Sequence, residues 1–333
     1  MTYRTSYANA RKNKGLTKDV GQIFDKNSID ALIFVVQKPD FSDPATAFYI
    51  HNRLKLSTEC TAFDICQGCP GWIYGLWIAS QMVESGANKK ILLLVGDTPS
   101  AHADLSNRIS APLFGDGGCA TLVEYSEDKV ESIYCVETQS KDYEAIITPA
   151  SGARLKVIYK DGMEECNEPL LRKIKTPQGH YTRLVNGYMD GLAVFDFTIN
   201  KVPVSIKKLM EFAKVTEQDI DKLMLHQANK QRVQAVATAV NFPLDKAPYD
   251  AFENFGNNTM CSIPTNINYI FTNQEKVDRK LLCSSFGNGL AVASAILNFD
   301  KNIYLSGVND YVIPDDYISR EEYIKYWIKK LEG

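Results

Sequence analysis

The segment at residues 70–86, PGWIYGLWIASQMVESG, constrains the fold more than any other feature, because it is apolar around almost its whole circumference. It begins with a proline and ends on a glycine, which are the usual limits of a helix. A helix without a polar face has to be buried on all sides. The sequence therefore predicts a layered fold with at least one helix inside it.

Three apolar runs on either side of this helix predict buried strands. They lie at residues 29–36, 61–65 and 90–95 and are rich in Ile, Leu and Val. Strands that are apolar along their whole length suit a sheet covered on both faces. A chain of 333 residues, 45% of them hydrophobic, is long enough to bury a full core of this kind. We expect an α/β fold.

The second half of the chain repeats the order of the first. Residues 220–227, IDKLMLHQ, resemble residues 29–37, IDALIFVVQ, and residues 279–285 resemble residues 89–96. Any two buried strands that follow an Ile-Asp pair look alike, so these short similarities leave a true duplication open.

The chain is predicted to divide into three parts. The parts are an N-terminal half at 1–185, a C-terminal half at 186–300 and a C-terminal extension at 301–333. The region before the first boundary is polar and irregular, and we interpret it as a solvated insertion. In the extension, Ser319 and Glu322 form a capping box ahead of an amphipathic helix.

Composition excludes several classes of function. The formal net charge is -3, which gives no overall basic footprint, so nucleic acid is not the expected partner, although local basic patches stay possible. Its N-terminal residues lack the apolar core of a secretion signal, and no apolar run is long enough to span a bilayer. We expect a cytoplasmic protein without nucleic-acid or membrane partners. In that compartment the eight scattered cysteines are expected to be free thiols.

Cys69 is the candidate nucleophile. It follows the strand at residues 61–65 and a tight Cys-Gln-Gly connection, and it directly precedes the buried helix. At a helix N-terminus the free amides and the dipole favour a thiolate. An inert buried cysteine is the alternative. The Cys66-x-x-Cys69 spacing also occurs in zinc and redox sites, but the other cysteines supply neither a second pair nor a thioredoxin-like context.

Two further side chains can complete a thiol-dependent site. His226 ends an apolar strand, and Asn257 lies in a glycine-asparagine turn, although each residue type is also common there for structural reasons. Residues 285–289, SFGNG, form a turn that can bring backbone N–H groups to a ligand. The strand pattern that follows this turn disfavours a dinucleotide site. The remaining histidines have polar surroundings and are interpreted as surface residues: His51, His102 and His180.

Together these motifs resemble the ketoacyl-ACP synthase III family of condensing enzymes. The similar segments, in matching order and spacing, are residues 62–65 with Cys69, 113–117, 189–195, 226–229, 256–257 and 286–289. The resemblance implies a thiolase-like layered αβαβα fold made of two duplicated halves, with the first half truncated. It also implies a cytoplasmic, homodimeric acyltransferase of fatty acid and lipid metabolism.

The resemblance also implies a role for each site residue. Cys69 would attack an acyl thioester and hold the acyl group, and malonyl-ACP would lose carbon dioxide to form an enolate. His226 and Asn257 would stabilise that enolate, and the backbone amides of Cys69 and Asn288 would form the oxyanion hole. The product would be a 3-oxoacyl-ACP. No metal or redox cofactor is implied, only coenzyme A or acyl carrier protein as carriers of the substrates.

Three basic residues are expected to bind the carriers. Arg108 corresponds to an arginine that binds coenzyme A in the family. Lys230 and Arg232 follow the His226 motif on one predicted helix, where they would attract an acidic carrier protein. An ordinary solvated surface is the alternative for these two residues.

The sequence departs from the family pattern in three places. Asn288 replaces a common glycine, and Asp43 replaces an apolar residue that would enter the partner subunit's acyl pocket. The family's first strand and its coenzyme A-binding Gly-Ile-x-x-Arg segment have no evident counterpart before Ile29. Two other functions therefore stay open: a thiolase-fold acyltransferase to a non-malonyl acceptor, and a non-catalytic partner subunit.

Overall fold

The computed structural model describes residues 25–103, 111–127, 130–155, 170–176, 179, 181–271, 279–299 and 303–332, and the backbone of residues 2–9. The strands in these ranges are β1 (Thr2–Asn9), β2 (Ala31–Val36), β3 (Thr61–Cys66), β4 (Lys90–Asp97), β5 (Gly117–Ser126), β6 (Ser132–Thr138), β7 (Ile146–Ile147), β8 (Ile174–Lys175), β9 (Tyr181–Thr182), β10 (Tyr188–Met189), β11 (Lys222–Leu225), β12 (Arg279–Gly287) and β13 (Ala291–Phe299). The α-helices are α1 (Thr46–Leu54), α2 (Gly71–Glu84), α3 (Gly191–Asn200), α4 (Val202–Ala213), α5 (Lys230–Ala239), α6 (Asp250–Phe255), α7 (Ser262–Phe271) and α8 (Arg320–Glu332).

Two mixed sheets form the framework. The first has five strands in the order β1-β5-β4-β2-β3, and the second has four in the order β6-β13-β12-β11. Each sheet contains an equivalent pair of neighbouring parallel strands, β4 with β2 in the first and β12 with β11 in the second. In the first sheet, β5 runs antiparallel to β4 and β1 runs antiparallel to β5. In the second, β13 runs antiparallel to β12 and β6 runs antiparallel to β13. The shared order and directions confirm that the fold consists of two duplicated halves.

The repeated Ile-Asp pair has the same physical role in both halves. Asp30 accepts a hydrogen bond from the Lys90 backbone N–H (2.9 Å), and Asp221 accepts one from the Lys280 backbone N–H (2.7 Å). The isoleucine before each aspartate is buried. Each aspartate therefore joins the start of one parallel strand to the start of its neighbour, which explains why these residues recur.

Helix α2 lies between the two sheets, as the apolar segment at residues 70–86 predicts. It contacts β2, β4 and β5 on one side and β12 and β13 on the other. Helix α7 packs in the same central layer, in one apolar cluster with α2 and both sheets. Helix α1 covers the outer face of the first sheet, and α3, α4 and α5 cover that of the second. These five layers confirm the αβαβα arrangement.

Two details of the N-terminal half differ from the sequence-based expectation. A strand does precede Ile29: β1 pairs antiparallel with β5 along its whole length, from Thr2 opposite Ser126 to Asn9 opposite Cys119. Its sequence, TYRTSYAN, contains no apolar run, so the apolar pattern does not predict it. An edge strand can be stabilised by backbone pairing alone and does not need such a run.

The strand pairing also assigns one segment of the predicted N-terminal half to the second sheet. Strand β6 (Ser132–Thr138) pairs with β13 (Ala291–Phe299) in the position that β1 occupies in the first sheet. By strand pairing, the second sheet therefore starts well before residue 186. Sequence order alone does not reveal this long-range pairing.

The C-terminal extension ends in the expected capped helix. The Ser319 N–H donates to Glu322 Oε2 (2.8 Å), and the Glu322 N–H donates to Ser319 Oγ (3.2 Å). None of the residues of α8 is buried, although Tyr323 contacts the ring of Phe41 at 6.3 Å between centroids. No helix in the described residues is both long and apolar enough to cross a membrane.

The close packing of α2 gives a first prediction. A Cβ added at Gly75 would lie 2.6 Å from Leu93 Cδ1 and 2.9 Å from Val35 Cγ2. We expect Gly75→Ala to lower the free energy of unfolding by about 1–3 kcal/mol, despite the higher helix propensity of alanine. Urea denaturation measures this change. The control is Gly191→Ala, where nothing lies within 4 Å; an equal loss in both variants would contradict the packing argument.

Candidate active site

Cys69 lies where the first sheet meets the central layer. It follows β3 and precedes α2, and the Gly71 N–H donates to the Gly68 carbonyl (2.7 Å) to close the turn between them. The Ser285 hydroxyl, on β12, donates to the Cys69 carbonyl (2.7 Å). The second half of the chain thus holds the backbone of the residue that the first half supplies.

Burial raises the pKa of the Cys69 thiol to about 12. A hydrogen bond from its own backbone N–H and the charge on Arg232 lower this pKa, and the charge on Asp97 raises it further. The expectation of a thiolate in the free protein is therefore opposed by desolvation, which outweighs the groups that favour the anion. The thiol is protonated at neutral pH.

Two positions beside Cys69 are closely packed. A Cβ added at Gly287 would lie 2.8 Å from Cys69 Cβ and 3.0 Å from its Sγ. A Cβ added at Gly68 would overlap the side chain of Asn288, 2.6 Å from its Cγ. The turn at 286–289 therefore reaches the nucleophile only because both glycines lack side chains. Asn288 lines the same pocket as Cys69, and the role of its N–H in an oxyanion hole stays a prediction.

His226 directly follows β11 and is buried. Its Nδ1 lies 2.7 Å from Ser262 Oγ, and its ring meets that of Phe286 edge to face. The Ser262 oxygen also accepts a hydrogen bond from the Gln227 N–H (3.3 Å). Burial and the charge on Arg232 lower the pKa of His226 to about 3, so the imidazole is neutral at physiological pH.

Asn257 is buried, and its carboxamide orientation is fixed by the backbone. The Thr259 N–H donates to Asn257 Oδ1 (3.0 Å), so Nδ2 is left as the donor of this amide, and Asn257 lines the pocket. Thr259 has a φ of 53°, a left-handed conformation that is strained for a β-branched residue. The backbone N–H of Asn257 donates to the Leu113 carbonyl, and its carbonyl accepts from the Gly115 N–H. Both partners lie in the loop after β4.

One pocket brings these groups together. Cys69, His226, Asn257 and Asn288 all line it, and so does Arg232. Its apolar walls come from both halves of the chain: Leu113, Phe114, Ile146, Met189, Val194 and Phe286. The arrangement combines a thiol, a neutral imidazole and a primary amide in a largely apolar environment. Within the described residues, no three His, Cys, Asp or Glu side chains are grouped as metal ligands.

Of the three residues that were expected to bind carriers, the structure describes Lys230 and Arg232 and places them differently. Lys230 is exposed, with its Nζ 4.4 Å from the Tyr249 ring centroid and 3.6 Å from Glu253 Oε1. Arg232 belongs to the same helix but lines the pocket. Arg108 lies outside the described residues.

Two other candidates from the sequence, Cys66 and His51, do not line the pocket. Cys66 is an exposed free thiol, and His51 bonds to the Ser57 carbonyl through Nε2 (2.9 Å). The sequence analysis missed the roles of Ser262 and Ser285. Ser262 stands just after the Asn257 motif and Ser285 just before the glycine turn, but neither position indicates the partner that the fold brings to it.

Asp97, the last residue of β4, influences the site through its charge, which raises the pKa of Cys69. It is only 9% exposed, and burial raises its pKa to about 6, although the Thr98 N–H and the Lys38 charge lower it. Because the folded-state pKa exceeds the unfolded one, the contribution of Asp97 to stability is full below about pH 3.8 and is lost as the pH rises through 6. A charged Asp97 therefore destabilises the fold at neutral pH.

Family models match both halves of the chain. The model for 3-Oxoacyl-[acyl-carrier-protein (ACP)] synthase III matches residues 63–142, and its C-terminal counterpart matches residues 210–299. Together they cover the segments that hold Cys69, His226 and Asn257.

Full-length relatives show the same similarity. A Campylobacter jejuni protein provisionally named 3-oxoacyl-[acyl-carrier-protein] synthase 3 is 36% identical over 294 residues, 87% of this chain and 78% of the relative. A beta-ketoacyl-[acyl-carrier-protein] synthase III from Campylobacter fetus is 32% identical, over 83% of this chain and 78% of its own. The crystal structure of a 3-oxoacyl-(acyl-carrier protein) synthase from Burkholderia xenovorans superimposes with a TM-score of 0.75 at 30% identity, covering 89% of this chain and 80% of that one.

The position of Asp97 gives a pH-dependent prediction. Asp97→Asn should raise the free energy of unfolding by about 1–3 kcal/mol above pH 7 and progressively less toward pH 5, where Asp97 is protonated. Removing its charge should also lower the pKa of Cys69 and speed alkylation by iodoacetamide at pH 8, but not at pH 5. Denaturation curves and labelling rates across this range measure both effects.

Asp219→Asn is a control of opposite sign, because the Thr216 N–H lowers the pKa of Asp219. A pH-independent effect at Asp97 would contradict the argument.

Proposed function

Because this chain belongs to the 3-oxoacyl-[acyl-carrier-protein] synthase III family, we propose that it condenses an acyl thioester with malonyl-ACP through an acyl group held on Cys69. The family membership makes the protein a condensing transferase. The observation that supports this mechanism is that Cys69, His226 and Asn257 line one pocket although they come from three separate segments. The intact pair of His226 and Asn257 does not favour a non-malonyl acceptor.

In the proposed first step, the Cys69 sulfur attacks the acyl thioester. The new sulfur–carbon bond forms as the bond to the carrier sulfur breaks, and the proton of the Cys69 thiol passes to the departing carrier thiol. The protonated resting state of Cys69 is compatible with this exchange, since one thiol is consumed and one is released. The backbone N–H groups of Cys69 and Asn288 would stabilise the tetrahedral oxyanion.

In the proposed second step, malonyl-ACP loses carbon dioxide and leaves an electron pair on its α-carbon as an enolate. His226 and Asn257 would stabilise the enolate oxygen. The contact between Ser262 Oγ and Nδ1 supports the tautomer that carries its hydrogen on Nε2, and the bond from Thr259 leaves Asn257 Nδ2 as a donor. The α-carbon then attacks the acyl carbon, the bond from that carbon to the Cys69 sulfur breaks, and the released thiolate takes a proton from the solvent.

A homodimer is part of the proposal. Strand β3 lies at the edge of its sheet and is half exposed, and the neighbouring α1 exposes Phe48 (56%) and Tyr49 (49%). A free strand edge beside exposed aromatic rings is suited to a subunit interface. The placement of Asp43 near the partner's acyl pocket stays a prediction.

Covalent acylation tests the mechanism. After incubation with a butyryl thioester, intact-mass and peptide analysis should find one butyryl group on Cys69. Cys66→Ser should retain this acylation and Cys69→Ser should lose it. His226→Ala and Asn257→Ala should decrease malonyl-ACP decarboxylation by about 10²–10³-fold while self-acylation decreases much less. Acylation elsewhere, or an equal loss of both half-reactions, would refute the assignment of roles.

Recognition of acyl carrier protein can be tested at Lys230. This exposed lysine is the first residue of α5, the helix that also carries the pocket residue Arg232, so Lys230→Glu should slow Cys69 acylation from butyryl-ACP by about three- to tenfold at low salt. The same variant should react normally with butyryl-CoA, and the exposed Lys207 on α4 provides a charge-matched control, Lys207→Glu. If both variants slow both carriers equally, Lys230 has no specific part in recognition.

A further inference from the structure

Arg232 is an unusual member of the pocket. Among the described residues that line the pocket, Arg232 alone carries a permanent charge, because a guanidinium stays protonated and His226 is neutral. It is half-buried beside walls that include Met189 and Phe286, and desolvation lowers its pKa. A charge in such a place costs free energy unless it has a partner.

No described residue supplies that partner. Within the described part of the chain, the Arg232 guanidinium has neither an ion pair nor a side-chain hydrogen bond. Lys230, two residues earlier on the same helix, differs in this respect, because it pairs with Glu253 and with the ring of Tyr249. The charge of Arg232 instead acts on Cys69 and His226, so it lies close to the reacting atoms.

The surroundings of Arg232 would strengthen the binding of an anion to its guanidinium. Arg232 is the third residue of α5, whose N-terminal amides add positive potential at the same end of the helix. Apolar walls lower the local dielectric, so an anion here would interact with the guanidinium more strongly than in water. A guanidinium binds carboxylates through two parallel hydrogen bonds, which adds geometric selection.

We propose that Arg232 binds a carboxylate on the acyl chain of the thioester held in this pocket. The identity of the thioester rests on the proposed function. Two sources share this chemistry: the malonyl unit before it loses carbon dioxide, and an acyl donor that ends in a carboxylate. Arg232 would then select substrates by charge, in addition to any effect on Cys69.

Binding to an inactive protein tests the proposal without turnover. In a Cys69→Ala, Asn257→Ala background, calorimetry compares malonyl-CoA with propionyl-CoA and succinyl-CoA with butyryl-CoA. Each pair differs by a carboxylate in place of a methyl group, so contacts to coenzyme A cancel. We expect the carboxylate-bearing member of at least one pair to bind about ten- to a hundredfold more tightly. Mass spectrometry of the recovered thioester verifies that malonyl-CoA stays intact.

Substitutions at Arg232 decide the outcome. Arg232→Met should remove the preference in the affected pair, Arg232→Lys should retain part of it, and Lys207→Gln, which removes one exposed positive charge, should leave it unchanged. A loss confined to the malonyl pair identifies the extender, and a loss confined to the succinyl pair identifies the donor. The absence of a preference in the parent protein, or its persistence in both Arg232 variants, would overturn the proposal. Failure of the proposed function appears separately, as absent acylation of Cys69 in the unmodified protein.

Discussion

The burial of α2 between two sheets is the constraint on which the rest of the structure depends. Its first turn follows Cys69, and its apolar circumference fits only where a sheet covers each side. Packing that fixes the helix therefore fixes the backbone of the nucleophile. Because the covering sheets come from different halves of the chain, the position of Cys69 depends on the docking of those halves and not on its own loop.

Duplication supplies the remaining groups of the site by the same geometry. Strands β2 and β11 hold equivalent positions in their sheets, and each ends beside the pocket, at Gln37 in one half and His226 in the other. Only the second half places an imidazole there, with Ser262 from the central helix α7 as its partner. The equivalent strand ends of the two halves therefore carry different side chains, an amide in the first half and an imidazole in the second.

The sequence predicted the features that depend on local pattern. The buried helix, the inner strands, and the positions of Cys69, His226 and Asn257 after strands or in turns all follow from apolar periodicity and turn residues. It did not predict β1, because an edge strand needs no apolar run, or the pairing of β6 with β13, because that contact is long-range. It also grouped Arg232 with Lys230 as carrier-binding residues, although residues two apart on a helix point to different sides of it. Which of the two faces the pocket is decided by how the helix docks, and the local pattern does not show that.

The contact between Gly68 and Asn288 restricts how this site can change over evolutionary time. The asparagine side chain fills the space that a β-carbon at position 68 would need. A side chain at position 68 therefore requires Asn288 to move its carboxamide or to be replaced by a smaller residue, whereas a smaller residue at 288 requires no change at 68. The two positions are more than two hundred residues apart in the chain, yet this overlap favours a substitution at 288 before one at 68.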